Sequence, residues 1–251
     1  MSGRISNNIV RDGLVLYLDA ANTKSYPRSG IIWTDLSRIG NNGTLTNGPT
    51  FNSGNAGNIV FDGTNDYVSI SPSGYDLGVN FTLQVWTRIT RFGGGPFNGS
   101  ENRASLITNS YPYLSNQGFL FMATSQAASP SFIATPGRET FFISMGNDQF
   151  QASASIGSLT PYVNNWVNIS AVVNGTNLIK LYINGVEPTY VFQTNGPSSL
   201  LYTGGPFSLG CRNNFREFLQ GSIPQTSIYN RALTAQEVLQ NYNATKSRFG
   251  L

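Results

Sequence analysis

Apolar residues recur at every second position through much of this chain. In residues 165–186, Val167, Ile169, Ala171 and Val173 fall on one side of an extended backbone. Asn174-Gly175-Thr176-Asn177 then reverses it, and Ile179, Leu181 and Ile183 resume the period. The pattern predicts a β-hairpin with one buried face. Asn184-Gly185 marks a second reversal, because Asn and Gly reach positive φ at low cost, so a meander of consecutive antiparallel strands is expected. Residues 13–19, with Leu14, Leu16 and Leu18 in phase, read as a first strand, and residues 59–61 and 66–70, either side of Asp62-Gly63-Thr64-Asn65, as another hairpin. From 81 to 89, Phe81, Leu83, Val85, Thr87 and Ile89 face one way and Thr82, Gln84, Trp86 and Arg88 the other. That stretch predicts a sheet with one face on a core and the other half exposed. Residues 105–109, 118–124, 141–145 and 150–156 continue as strands between Ser-, Pro- and Gly-rich loops. Residues 20–57, dominated by turn formers, read as an irregular excursion pinned by Trp33 and Leu36.

A helix signal comes only at the end. Thr234 is placed to cap, Glu237 stands three residues on where it can reach back to the cap amide, and Leu233 can pack on Val238 as a hydrophobic staple. A helix over 235–244 follows, burying Val238, Leu239 and Tyr242, after a last strand containing Ile223, Ile228 and Tyr229. Lys246 and Arg248 suit its C-terminal end. The class is all-β with one short C-terminal helix, and sheets with an apolar face need a second layer to cover it. No linker-like shift divides the 251 residues, so one domain over 13–251, behind a polar arm at 1–12, is expected.

Composition narrows the chemistry. Histidine is absent, which removes Ser-His and Cys-His nucleophile pairs and imidazole zinc sites. The single cysteine, Cys211, lies in an apolar run and reads as a small core residue that cannot form an intrachain disulfide. Charged residues make up only 11%, and a net charge of +3 from scattered arginines offers no phosphate-tracking stripe, so no nucleic-acid partner is expected. The Gly-rich stretch at 91–103 lacks the strand-turn-helix context of a phosphate loop. No segment approaches the roughly 18 apolar residues needed to span a bilayer, and the first residues lack a signal-like apolar core. Synthesis in a cytoplasm, with release by lysis, is the expectation.

Several stretches together resemble a known family: Gly13-Leu-Val-Leu-Tyr-Leu-Asp-Ala-Ala-Asn22, Trp33-Thr-Asp-Leu-Ser37, Asn41-Asn-Gly-Thr-Leu45, Phe61-Asp-Gly-Thr-Asn-Asp-Tyr-Val68, Leu181-Tyr-Ile-Asn-Gly-Val186 and Ile228-Tyr-Asn-Arg-Ala-Leu-Thr234. They are similar, in order, to the signatures of laminin-G-like domains of the concanavalin A-like lectin/glucanase superfamily. The ending Asn-Tyr-Asn-Ala-Thr-Lys-Ser-Arg-Phe-Gly-Leu is most similar to versions in structural proteins of tailed, cyanophage-like bacteriophages. Two departures stand out: Arg38-Ile39-Gly40-Asn41 replaces the family's Gly-Asn-Gly-Asn, and the region 91–158 is longer and less typical. The resemblance implies a jelly-roll sandwich of two curved antiparallel sheets.

Function must then come from a site, since this fold serves enzymes, lectins and adhesion modules. The glucanases of the fold carry a Glu-x-Asp-x-x-Glu run, which this chain lacks, so no hydrolase activity is expected. Asp62, Asn65 and Asp66 share a turn and either cap it or, as in many relatives, hold a structural calcium. Tyr111, Tyr113, Tyr190, Phe192 and Tyr202 are loop aromatics that could stack on sugar rings or meet a protein partner. The expected role is a non-enzymatic virion structural protein, a capsid decoration or tail-associated module, possessing a lectin-like fold. Its expected partners are other virion proteins, copies of itself as a trimer, and a host surface glycan; the alternative is a carbohydrate-binding adhesin or a tail-fibre receptor-binding module.

Overall fold

Strands with one apolar face must stack that face on another sheet, and this chain does so with two antiparallel sheets. The structure is a computed structural model that describes residues 8–71, 77–91, 103–109, 119–124, 140–145, 152–156, 160–198, 206–212 and 217–251. In chain order the strands are β1 (Leu14–Asp19), β2 (Ile32–Trp33), β3 (Gly43–Thr46), β4 (Thr50–Asn52), β5 (Asn58–Asp62) and β6 (Tyr67–Ile70). They continue with β7 (Asn80–Arg91), β8 (Arg103–Thr108), β9 (Phe119–Thr124), β10 (Thr140–Met145), β11 (Ala152–Ile156) and β12 (Val167–Asn174). The last are β13 (Lys180–Ile183), β14 (Tyr190–Gln193), β15 (Phe207–Leu209) and β16 (Gln220–Tyr229), followed by helix α1 (Ala235–Thr245).

The first sheet has seven strands, in the order β13-β12-β7-β16-β5-β4, with β1 also on β16; the second has nine, β14-β11-β10-β9-β8-β15-β6-β3-β2. β16 is long enough to pair β7 along one edge while β5 and β1 share the other. Its register shifts between Ser222 and Gln225, around Pro224, a residue that has no N–H to give the ladder. Between the sheets lies one apolar core, with Phe81, Leu83, Val85, Ile169 and Ile228 from the first meeting Val68, Ile107, Phe121, Ile143 and Phe207 from the second.

The predicted hairpin at 165–186 forms as β12 and β13, with Ile169 opposite Ile183 and Ala171 opposite Leu181. Asn184 and Gly185 take φ of 51° and 78° in the second reversal. The meander stops there, however: β13 edges the seven-stranded sheet, and β14 edges the other. Likewise β5 and β6 are no hairpin. β5 pairs β4 and β16 in one sheet and β6 pairs β3 and β15 in the other, so the turn at Asp62 to Asp66 is a corner between layers. Alternation identifies a strand but says nothing about which strand lies beside it. The supposedly irregular 20–57 stretch contains β2, β3 and β4, with Trp33 fully buried.

The outer face of β7, expected to be half exposed, is covered. Thr82, Gln84 and Trp86 are all buried, because α1 and the residues around it lie across them. Trp86 stacks on Phe249 at 4.1 Å and donates Nε1–H to Thr245 Oγ1 at 2.9 Å. Gln84 donates to Asn168 Oδ1 and Ser170 Oγ and accepts from Asn241 Nδ2, each at 3.0 Å. Within α1, Val238 and Asn241 are the buried residues; Leu239 is 40% exposed and Tyr242 half-buried, so the predicted stripe is rotated to place an amide over the sheet. The end of the expected arm is docked in the same layer. Ile9 and Val10 are buried, Val10 N–H donates to Asn241 Oδ1 at 2.7 Å, and Tyr229 hydroxyl donates to Val10 O at 3.1 Å.

Candidate binding face on the nine-stranded sheet

Along β8, Ala104 and Ile107 point into the core, and Arg103, Ser105 and Thr108 therefore lie on the sheet's outer face. The register continues that row through Ser208, Ser69 and Thr44, a line of small hydroxyl residues across β15, β6 and β3. The chain entering β16 closes over this row. Ser105 N–H donates to Glu217 O at 2.9 Å, Leu219 N–H to Gly210 O at 2.8 Å, and Thr108 hydroxyl to Cys211 O at 2.9 Å. Cys211 is buried and forms no disulfide, as a single cysteine in an apolar run must.

These bonds deliver Glu217 to the face in a left-handed backbone conformation, φ 56°, which a β-branchless but bulky side chain adopts only where its surroundings hold it. Its Oε1 lies 3.2 Å from Arg103 Nη1 and 3.5 Å from Arg212 Nη1, with the Arg103 and Glu217 side chains only 9% and 6% exposed. Glu217 Oε2 and Ser105 Oγ are buried with no hydrogen-bond partner among the described residues. Buried polar atoms are rarely left so, and each marks a place where water or a ligand hydroxyl would fit. The arrangement suits binding of a polyhydroxylated molecule: a carboxylate fixed by two guanidiniums, with one oxygen available to accept and a serine hydroxyl able to do either. Nothing in the local sequence announces the set, because its members come together only through sheet register.

The residues singled out from sequence fall elsewhere. At the corner between β5 and β6, Asp62 Oδ1 accepts from Thr64 N–H at 2.7 Å and Asn65 N–H at 3.4 Å, Asp66 Oδ2 accepts from Asp62 N–H at 3.0 Å, and Asn65 O accepts from Asn47 Nδ2. Both carboxylates therefore cap the turn. One oxygen of each remains for a cation, and among the described residues no third Asp or Glu joins them, so calcium's six to eight oxygens would have to be completed by carbonyls and water. Burial, reinforced by the Asp62 charge, pushes the Asp66 carboxyl up to about 6 against the hydrogen bond from Asp62.

Of the aromatics, Tyr111, Tyr113 and Tyr202 lie outside the described residues. Tyr190 is engaged in the fold: its ring packs on the core and its hydroxyl accepts from Leu181 N–H at 2.8 Å and lies 3.1 Å from Glu187 Oε1, tying β14 to β13 across the sheets. Burial raises its phenol above the usual range. Phe192, 37% exposed on edge strand β14, is displayed to solvent.

Two opposed antiparallel sheets with a polar, charge-bearing outer face define a lectin-type β-sandwich. The chain belongs to the concanavalin A-like lectin/glucanases superfamily, whose laminin G-type family model matches residues 62–239. No curated protein matches the sequence. Among solved structures it is similar to domain 4 of AbnA, a GH43 extracellular arabinanase from Geobacillus stearothermophilus in complex with arabinotriose, at 16% identity and a TM-score of 0.61, covering 91% of this chain and 98% of that one. The binding domain of Paraclostridial Mosquitocidal Protein 1 is similar at 21% identity and a TM-score of 0.61, over 93% of this chain and 52% of that one. For the botulinum neurotoxin serotype G binding domain the values are 16%, 0.58, 91% and 50%. The chain thus spans about half the length of the toxin domains, and at these identities the likeness is one of fold.

Proposed function

We propose that this chain is a non-enzymatic, lectin-type module that binds saccharide on the outer face of its nine-stranded sheet. The observation that carries the reading is Glu217: buried, left-handed, clamped by Arg103 and Arg212, with Oε2 unpartnered among the described residues and its backbone bonded to Ser105, whose hydroxyl is likewise unpartnered among them. The arabinotriose-bound arabinanase domain of the same fold supports a sugar ligand. A non-catalytic role is supported by how the described carboxylates are used: Asp19 holds Arg248, Glu187 holds Lys180, Glu237 holds Arg231, and Asp35, Asp62 and Asp66 cap turns.

The module serves, in this reading, as a structural protein of a tailed-phage particle, at the capsid surface or on the tail, assembled in three copies with other virion proteins. The motif wording and the chain's ending support the setting, and the exposed Ile31, Ile32, Ile39 and Val186 offer apolar surface for contacts between copies. Calorimetric titration with neutral oligosaccharides tests the site: Glu217→Gln should weaken binding tenfold or more without hydrolysis of the ligand. Equal affinity in the variant, or release of reducing ends, would sink the reading. Mass spectrometry of purified particles tests the setting, since a chain missing from them would be a free adhesin, and light scattering tests the trimer.

A further inference from the structure

A cleft beside β1 plays no part in the site above. Residues 34–37 run along the strand, with Leu36 N–H on Tyr17 O at 2.8 Å, Tyr17 N–H on Asp35 Oδ1 at 2.9 Å, and Ser37 hydroxyl on Val15 O at 3.1 Å. Asp35 then closes the following turn through Oδ2, which accepts from Ser37 Oγ, Gly40 N and Asn41 N. Between this turn and residues 11–14 lies a cavity of about 570 Å³ lined by Arg11, Leu14, Asn22, Leu36, Ser37 and Arg38.

Arg38 stands at φ 85°, a conformation that favours glycine, and the Asp35 hydrogen bonds on both sides hold it there. A strained backbone thus sets a guanidinium on the cleft wall. Arg11 reaches the same cleft with its guanidinium 5.4 Å from the centre of the Tyr17 ring. Among the described residues neither has a carboxylate partner, whereas Arg103 and Arg212 pair with Glu217, Arg231 with Glu237 and Asp12, and Arg248 with Asp19. The nearby acids are committed elsewhere: Asp12 turns to Arg231 at 2.9 Å, Asp19 to Arg248 at 2.7 Å, and Asp35 is buried within its turn.

We propose that this cleft binds an acidic oligosaccharide, taking a carboxylate or sulfate group between Arg11 and Arg38. Guanidinium forks match planar oxyanions in two-pronged contacts. Leu14 and Leu36 supply an apolar floor for the C–H face of a sugar ring, and Asn22 an amide for its hydroxyls. The volume falls within the roughly 300–1,000 Å³ of small-molecule sites and is far more than a bare inorganic anion fills.

The test is calorimetric titration of the full chain with an oligogalacturonate, a sulfated oligosaccharide, a neutral oligosaccharide of equal length and inorganic sulfate. Saturable binding of at least one acidic oligosaccharide is expected, falling tenfold or more in both Arg11→Gln and Arg38→Gly. The carboxylated and sulfated arms decide which oxyanion is preferred. Arg28→Gly is the control: it removes the same charge at another left-handed position, φ 72°, that does not line the cleft. Arg38→Gly should melt no lower than the parent, so its loss of binding cannot be unfolding. Equal weakening in Arg28→Gly, retention in either cleft variant, or binding of inorganic sulfate alone overturns the proposal.

Discussion

Asp66 carries a carboxyl into surroundings that suit its neutral form. Raised from the ordinary 3.8 to about 6 by burial, it binds a proton in the folded chain at a pH where the unfolded chain has released it. Its effect therefore favours folding below about pH 4 and is lost as pH rises through 6. Melting curves of Asp66→Asn against the parent should show the parent losing ground between pH 4 and pH 7, with the variant's profile flatter in that window. Calcium at Asp62 and Asp66, proposed on chemistry alone, would hold the carboxylate ionised and remove the penalty by mass action. Millimolar calcium should then raise the melting temperature at pH 7 and EDTA reverse it; identical curves would leave turn capping as the whole role of the pair.

At the scale of elements, what sequence reveals follows the distance between the groups involved. The start of α1 is local and legible: Thr234 Oγ1 accepts from Glu237 N–H at 3.2 Å, and Glu237 Oε2 accepts from Thr234 N–H at 2.9 Å. Thr234→Ala should cost about 1 kcal/mol in denaturant unfolding. Hydrogen bonds from Arg231 hold the Glu237 carboxyl down at about 2, so its contribution is full above pH 4.5 and lost as pH falls toward 2, a loss that Glu237→Gln should abolish. The longer strands were legible too, from period alone, whereas β2, β3 and β4 within 20–57, and β14 and β15, are too short to show one. The corner at Asp62 to Asp66 and the separation of β13 from β14 were not, because a turn reads the same whether its strands pair or part into different layers. Arg103, Arg212 and Glu217 were less legible still: nothing at residue 217 foretells that sheet register will bring residue 103 to 3.2 Å from it.

For the whole molecule, residues before β1 and α1 after β16 lock one another onto the seven-stranded sheet. Gln240 Nε2 donates to Asn8 O at 2.9 Å, and Asn241 links Val10, Gln84 and Tyr229. Deleting residues 1–10 should cost about 1–3 kcal/mol, because it removes the donor to buried Asn241 Oδ1 and the acceptor of the Tyr229 hydroxyl proton, and urea unfolding would measure it. An unaltered midpoint would mean that the segment is the detachable arm its polarity suggests. The β1–β16 ladder carries a further consequence, in time. Leu14 pairs with Tyr229 and Asp19 with Gln225, so β1 leaves a ribosome long before the strand it pairs with. At roughly 5–20 residues per second, some 200 intervening residues keep Leu14, Leu16 and Leu18 unpartnered for on the order of 10–40 s. A nascent chain that long exposed is a natural client for a chaperone that grips short leucine-rich segments, and its yield should depend more on that chaperone than on the stability of the finished sandwich.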